Sequence, residues 1–512
     1  MLKKVLIANR GEIALRVVRA CNELGVKSVA VYSDADAHAP HVREADEAVR
    51  IGPPPSSESY LLGNVIIEAA KRVGADAIHP GYGFLSERDW FARAVRDAGL
   101  VWIGPPAEAI AAVGSKTAAR TLAVAHEVPV VPGTTEALRD AAEAAAIAKK
   151  FGYPVLLKAA AGGGGKGMRV VRAESEIAGA LDAAKREAKN AFGDDAVYVE
   201  KYIEGPRHVE IQVLGDQHGT MLSLGERECS VQRRHQKMIE EAPSPAVSAE
   251  LREKMGAAAI RFARAAGYVN AGTCEFLLAR DGSFYFLEMN TRVQVEHPVT
   301  ELVTGVDIVQ WQIRVASGEK LTLPPRIVPR GWAIECRITS EDAINGFLPS
   351  TGRINYLHVP GGPGVRWDAG VEAGSEVGLF YDPMLAKLIV WGATREQAVE
   401  RMHRALLELT VDGIETSREF HLRVMEDSEF RAGAIDIQWL ERRLPSLLNA
   451  EAGADELRTA AIAAALIADA ERRGRSNGGG SNGTSSARVA AEPAVENSQW
   501  AQLARIEGLR GR

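Results

Sequence analysis

Over its first hundred residues the chain alternates short apolar runs with amphipathic stretches, and this alternation restricts the fold more than any other feature. Residues 4–8, 28–32, 77–79 and 101–103 read as strands, and residues 13–24 and 65–73 as helices between them. Strands joined through helices run parallel, because only a long crossover returns the chain to the same end of a sheet. The pattern predicts a parallel sheet with helices on both faces. It stops near Gly104-Pro105-Pro106, where an Ala-rich helical region begins, and Val128-Pro129-Val130-Val131-Pro132-Gly133 marks a hinge or loop. A second α/β region runs to about Pro329. From Gly331 to about Leu444, several short strands and a last helical stretch read as a third unit.

Composition narrows the class. A chain of 512 residues with formal charge −6 predicts about two to four globular units and no nucleic-acid partner. Cys21, Cys229, Cys274 and Cys336 are isolated, with no Cys-x-x-Cys pair, which suits a reducing cytoplasm and argues against a structural zinc site. The start passes directly into a strand without a signal-peptide core, and no apolar run is long enough for a membrane span, so a soluble, cytoplasmic protein is expected. Residues 454–473 have helical composition, and residues 475–486 have the Gly/Ser/Asn composition of a disordered linker. The end, with Trp500, Leu503 and Leu509 on a basic background, reads as a frayed terminus in preference to a docking peptide.

Four motifs carry chemistry. In residues 287–298, polar groups fall at every second position, so an extended strand would project Glu288, Asn290, Arg292, Gln294 and Glu296 from one face. A solvated sheet face gives the same alternation, but the preceding Phe284-Tyr285-Phe286-Leu287 is apolar on both faces and suggests a strand leaving a core for a cleft. Next, an apolar strand ends at Lys158, and Gly162-Gly163-Gly164-Gly165-Lys166-Gly167 follows as a loop whose N–H groups could surround phosphates. It lacks the order of a Walker loop. The dense polar run 225–237 is either a solvated face or a site for an anionic ligand. Finally, Glu275 on one strand and Glu288 and Asn290 on the next supply hard oxygen ligands suited to Mg²⁺ or Mn²⁺ held jointly with phosphates.

Together these motifs resemble the ATP-grasp fold. More narrowly, Ala8-Asn9-Arg10-Gly11-Glu12-Ile13-Ala14, His79-Pro80-Gly81-Tyr82-Gly83-Phe84-Leu85-Ser86-Glu87, the runs 232–237 and 288–298, and Phe347-Leu348-Pro349-Ser350 resemble biotin carboxylase, in order, over about residues 1–446. The resemblance implies an α/β and α+β protein. A Rossmann-like parallel-sheet domain would occupy 1–112 and an ATP-grasp domain 113–329, with a mobile lid at about 131–203. A mixed α+β C-terminal domain would fill 330–446 and an extension 447–512.

The same resemblance implies two reactions in one site: bicarbonate attacks the γ-phosphate of ATP to give carboxyphosphate, and the carboxyl group passes to the ureido nitrogen of biotin. Lys116 and Lys158 would meet ATP phosphates, Gly164 and Gly165 would cover them, and Glu200, Lys201, Tyr202 and Ile203 would meet the adenine, largely through backbone groups. His208, Gln232 and His235 would line the nucleotide, and Glu275, Glu288 and Asn290 would hold the Mg²⁺ ions. Lys237, Arg292, Gln294 and the Val295 N–H would bind bicarbonate with Glu296 as base. Arg337 would face the ureido oxygen of biotin, with Tyr82 packed nearby.

No Ala-Met-Lys-Met-like biotin attachment sequence is present, and the residues after Leu448 are too few for a carboxyltransferase domain. Biotin is therefore expected on a separate carrier protein, with carboxyltransferase subunits in an acetyl-CoA, propionyl-CoA or pyruvate carboxylase, the first of these serving fatty acid biosynthesis. The family suggests a homodimer. Two other readings stand beside this one: another ATP-grasp ligase joining a carboxylate or bicarbonate to an amine, and a non-catalytic nucleotide-binding scaffold. The first would usually show a duplicated half, and no repeat is visible. The second would be expected to have lost Lys237, Glu288, Arg292 or Glu296, and all are present.

Overall fold

Strands β1 (Lys4–Ile7), β2 (Lys27–Ser33), β3 (Glu47–Gly52), β4 (Ala77–His79) and β5 (Val101–Trp102) form the expected parallel sheet, in the order β3-β2-β1-β4-β5. The computed structural model describes residues 1–134, 137–159, 168–192, 195–448, 458, 461–466 and 468–469. Because successive side chains of a strand point to opposite faces, Leu6 packs with Ile66 and Phe91 on one side, while Val5 and Ile7 pack with Val17, Val18 and Ile313 on the other. The helix Gly11–Glu23 follows β1 directly. Strand β3 was not anticipated; its sequence, EAVRIG, carries the charges of Glu47 and Arg50, which an edge strand tolerates.

A small antiparallel sheet of β6 (Val155–Ala159), β7 (Met168–Val171) and β8 (Val197–Lys201), in the order β7-β6-β8, packs against the helices Ala141–Phe151 and Ile177–Phe192. The stretch 128–133, expected as a hinge or loop, is irregular apart from two bridges, Val130 to Phe286 and Gly133 to Glu200. The glycine loop lies outside the described residues.

The largest element is an eight-stranded sheet. It contains β9 (Arg207–Gly215), β10 (Met221–Arg233), β11 (Gln236–Ala242), β12 (Asn270–Leu278), β13 (Phe284–Asn290), β14 (Trp332–Thr339) and the strands Met384–Gly392 and Val365–Ala369. The order begins β13-β12-β9-β10-β11-β14, so the strands after residue 330 continue the same ladder through the β11–β14 pair. Met255 and Phe262 of the helix Ala249–Ala265 cover one part of it, and a second core around Leu406, Phe420 and Trp439 covers the other.

The structure decides two points that the sequence left open. The polar alternation does not continue as a strand to Glu296: β13 ends at Asn290, where Glu87 accepts the Thr291 N–H at 3.1 Å and draws the chain out of the ladder. The charged run 225–237 is no solvated face over most of its length, since Glu226, Arg227 and Glu228 are buried within β10.

Contacts divide the chain into Met1–Asn449 and Ala450–Arg512. The described residues of the second unit are helical and exposed, and the expected linker and terminal segment lie outside the described residues. Among the described residues no helix is long and apolar enough to cross a membrane.

Candidate active site

Register explains how one face of the central sheet becomes charged. Arg227 lies opposite Glu210, Glu210 opposite Glu275, and Glu275 opposite Glu288, giving a row across β10, β9, β12 and β13. Carboxylates placed side by side repel one another, and Glu210 and Glu275 are both buried. Cations resolve the conflict. The Lys237 ammonium donates to Glu210 Oε2 at 2.6 Å, Glu275 Oε1 at 3.1 Å and Glu296 Oε1 at 2.6 Å. Arg227, fully buried, donates to Glu210 at 2.6 Å and to Gln294 at 2.7 Å.

Glu296 sits at the N-cap of the helix His297–Thr304. Its second oxygen receives the Arg337 guanidinium at 3.1 Å, and Arg337 also donates to the buried Glu240 at 2.7 Å. Burial pushes the Glu296 carboxyl up, but Lys237, Arg337 and Arg227 together hold it well below the usual carboxylate range. Burial opposes the charge on Lys237, and Glu210, Glu275 and Glu296 outweigh it, so that ammonium is held well above its ordinary value. Glu240 lacks an equal share of cations, and burial raises it to about 7. An ionised carboxylate between an ammonium and a guanidinium can accept a proton once an anionic substrate draws those cations away.

Glu275 accepts from Asn290 Nδ2 at 2.8 Å and Gln294 Nε2 at 2.9 Å, and His208 Nε2 lies 3.1 Å from its other oxygen. Burial raises Glu275, yet Lys237 and His208 bring it below its ordinary range. The facing carboxylates Glu275 and Glu288 form a donor set that suits a hard divalent cation. Asn290 turns its nitrogen to Glu275 and accepts Arg292 on its oxygen at 3.0 Å, so it would join a cation only after its amide reorients. His208, Glu210 and Glu275 present a second group of ligand atoms within 4.8 Å of one another.

These groups open into a cavity of about 760 Å³, within the size range of small-molecule sites. Of the expected residues, Lys158, Glu200, His208, Gln232, His235, Lys237, Glu275, Glu288, Asn290, Arg292, Gln294, Val295, Glu296 and Arg337 all line it. Lys158 pairs with Glu200 at 3.0 Å, Gln232 donates to the Cys229 carbonyl, and Arg292 reaches Glu87 at 3.0 Å. His235 is exposed at the two-residue tip between β10 and β11, where it and Arg234 adopt positive φ, as such hairpin turns require.

Lys201, Tyr202, Ile203 and Tyr82 do not line the cavity. The Lys201 ammonium points to the Gly152 carbonyl at 2.7 Å, the N–H groups of Lys201 and Tyr202 go to Pro132 and Pro154, and Tyr82 donates to Glu12. Gly164, Gly165 and the Lys116 side chain lie outside the described residues. The sequence did not reveal Arg120, which lies 3.4 Å from Glu200, nor Glu87, Glu210, Glu240 or the role of Arg227. Glu87 and Arg227 stood inside recognised motifs; Arg120, Glu210 and Glu240 carry no local signal.

Sequence profiles of known families divide the same chain. The biotin carboxylase N-terminal domain matches residues 1–110, the ATP-binding domain of carbamoyl-phosphate synthase L chain matches 115–323, and the biotin carboxylase C-terminal domain matches 335–442. Haemophilus influenzae biotin carboxylase is 52% identical over 446 residues, covering 87% of this chain and 99% of its own. The chain belongs to the biotin carboxylase family. Among solved structures of the family, the Campylobacter jejuni biotin carboxylase complexed with β,γ-ATP is 47% identical with a TM-score of 0.81, covering 86% of this chain and 99% of its own. The biotin carboxylase domain dimer of Hydrogenobacter thermophilus 2-oxoglutarate carboxylase, bound to MgADP, ADP and bicarbonate, is 47% identical with a TM-score of 0.80, covering 88% of this chain and all of its own.

Proposed function

We propose that this protein catalyses the ATP- and bicarbonate-dependent carboxylation of biotin through carboxyphosphate. The observation that carries this reading is the convergence of Lys237, Glu296 and Arg337 in one cavity with Lys158 and the Glu275–Glu288 pair. Lys237, Arg292, Gln294 and the Val295 N–H would hold bicarbonate, whose charge competes with Glu296 for Lys237. Glu296 then regains basicity and takes the bicarbonate proton, and the freed oxygen attacks the γ-phosphate as the bond to ADP breaks. Lys116, Lys158 and the loop carrying Gly164 and Gly165 would hold the phosphates, with His208, Gln232 and His235 beside the nucleotide and residues 200–203 at its adenine. Such transfer depends on positioning and charge neutralisation. Mg²⁺ or Mn²⁺ held by Glu275, Glu288 and Asn290 supplies further neutralisation of phosphate charge.

In the second step the carboxyl group passes from carboxyphosphate to the ureido nitrogen of biotin as its C–O bond to phosphate breaks and the departing phosphate takes the nitrogen's proton; Arg337 would face the ureido oxygen, where charge develops, with Tyr82 packed nearby. Donors aimed at developing charge lower a barrier by roughly 3 kcal/mol each. We assign residues 1–112, 113–329 and 330–446 to the three functional domains, with the extension following. Biotin would arrive on a separate carrier protein, the product would pass to carboxyltransferase subunits, and the chain would pair as a homodimer. Four buried, unpaired cysteines support placement in the reducing cytoplasm.

The deciding assay is phosphate release from ATP with bicarbonate, with and without free biotin. Hydrolysis that requires bicarbonate and accelerates with biotin is expected; bicarbonate-dependent hydrolysis indifferent to biotin would favour another ATP-grasp ligase.

A further inference from the structure

A buried chain of polar groups lies behind Val295 and Glu296, and two of its members, Glu12 and Lys387, have no part in the mechanism above. Lys387, in the strand Met384–Gly392, is completely buried, donates to the Val295 carbonyl at 2.9 Å and sits 3.1 Å from Glu12 Oε2. The other Glu12 oxygen accepts the Tyr82 hydroxyl. A buried ammonium is costly unless charge and hydrogen bonds offset its lost hydration, so these partners fix where the Lys387 head can sit. Its neighbours across the sheet have commitments of their own: Asp368 pairs with Arg366 at 2.7 Å, and Arg337 is held by Glu240 and Glu296. Glu12 is equally constrained, because the backbone at Gly370 comes so close that a Cβ there would lie 2.7 Å from the Glu12 nitrogen.

The Val295 carbonyl belongs to the peptide joining Val295 to Glu296. Holding that oxygen sets the plane of the peptide, and with it the direction of the Glu296 side chain.

We infer that Tyr82, Glu12 and Lys387 form a positioning bridge that fixes the Val295–Glu296 peptide, and with it the Glu296 carboxylate, for bicarbonate. The inference rests on the functional reading above.

The experiment measures the KM for bicarbonate in ATP hydrolysis without biotin, for the wild type, Tyr82→Phe and Lys387→Met. The bridge predicts that Tyr82→Phe, although outside the cavity, raises the bicarbonate KM about threefold or more, and Lys387→Met raises it further. The KM for ATP should stay within about twofold of wild type in both, a split that general loosening of the fold would not give. A Tyr82→Phe bicarbonate KM equal to wild type overturns the bridge, whether or not Lys387→Met folds. A wild type without bicarbonate-dependent hydrolysis overturns the functional reading instead.

Discussion

Lys158 and Lys237 both enter the cavity from β-strands, but their surroundings differ in kind. Lys158, on the small sheet, pairs with one carboxylate, Glu200, which Arg120 also approaches. Lys237, on the central sheet, serves three carboxylates and is less than half as exposed, 13% against 28% for its side chain. Removing the first cation leaves Glu200 with Arg120. Removing the second takes the shared cation from three buried acids at once and leaves Arg227, Arg337 and His208 to serve one each. One end of the cavity can therefore change partners at small cost, while the other is a fixed charge lattice in which structure and chemistry share the same groups.

The largest effect should follow from breaking that lattice. Lys237→Met is expected to lower stability by about 3–5 kcal/mol and abolish turnover; urea denaturation matching wild type would remove the distinction between the two ends. Arg337→Ala and Glu296→Gln each spare Lys237, so both should fold and bind ATP while losing about 10²- to 10³-fold in carboxylation of free biotin. Near-wild-type turnover in either would sink its assigned role. Lys158→Ala should raise the KM for ATP about tenfold and change stability by less than about 1 kcal/mol, and an unchanged KM would remove Lys158 from the phosphate site.

The smallest effect concerns pH. Glu240 is raised from 4.5 to about 7 in the fold, so the folded chain binds a proton there that the unfolded chain has released. Its contribution therefore favours folding at the acid side and declines as pH rises from about 4.5 to about 7. Glu301 has the opposite sign: it is lowered to about 2, and its contribution, full above 4.5, is lost as pH falls through that lower window. Glu240→Gln should flatten the decline between pH 4.5 and 7 without altering the acid limb below it. Denaturation midpoints across pH would check this, and a decline as steep as wild type would exclude Glu240 as its source.

The same two regions show what a sequence can convey. The strands and helices of the first sheet were legible because each carries its own periodicity, and β3 escaped because an edge strand can carry charges such as Glu47 and Arg50. Lys158, Glu275, Glu288 and Glu296 were visible as residues in unusual company. Glu210 was not, since its partners in the register, Arg227 and Glu275, lie 17 and 65 positions away. Nor was the end of the strand at Asn290, which depends on Glu87 from the turn after β4. Pairing across strands leaves no local trace, and the charge lattice is made of such pairs.

The hydrogen bonding of β11 to β14 has a consequence for inheritance. A gene fragment ending near residue 330 would encode Lys237 and Glu296 but not Arg337, and its β11 would lack the neighbour that completes the ladder. Exchange of the C-terminal third between relatives would carry the guanidinium with it and would have to match the recipient's Glu240 and Glu296 at once. The two parts complete one ladder and one charge set, like two halves of a key cut across its teeth.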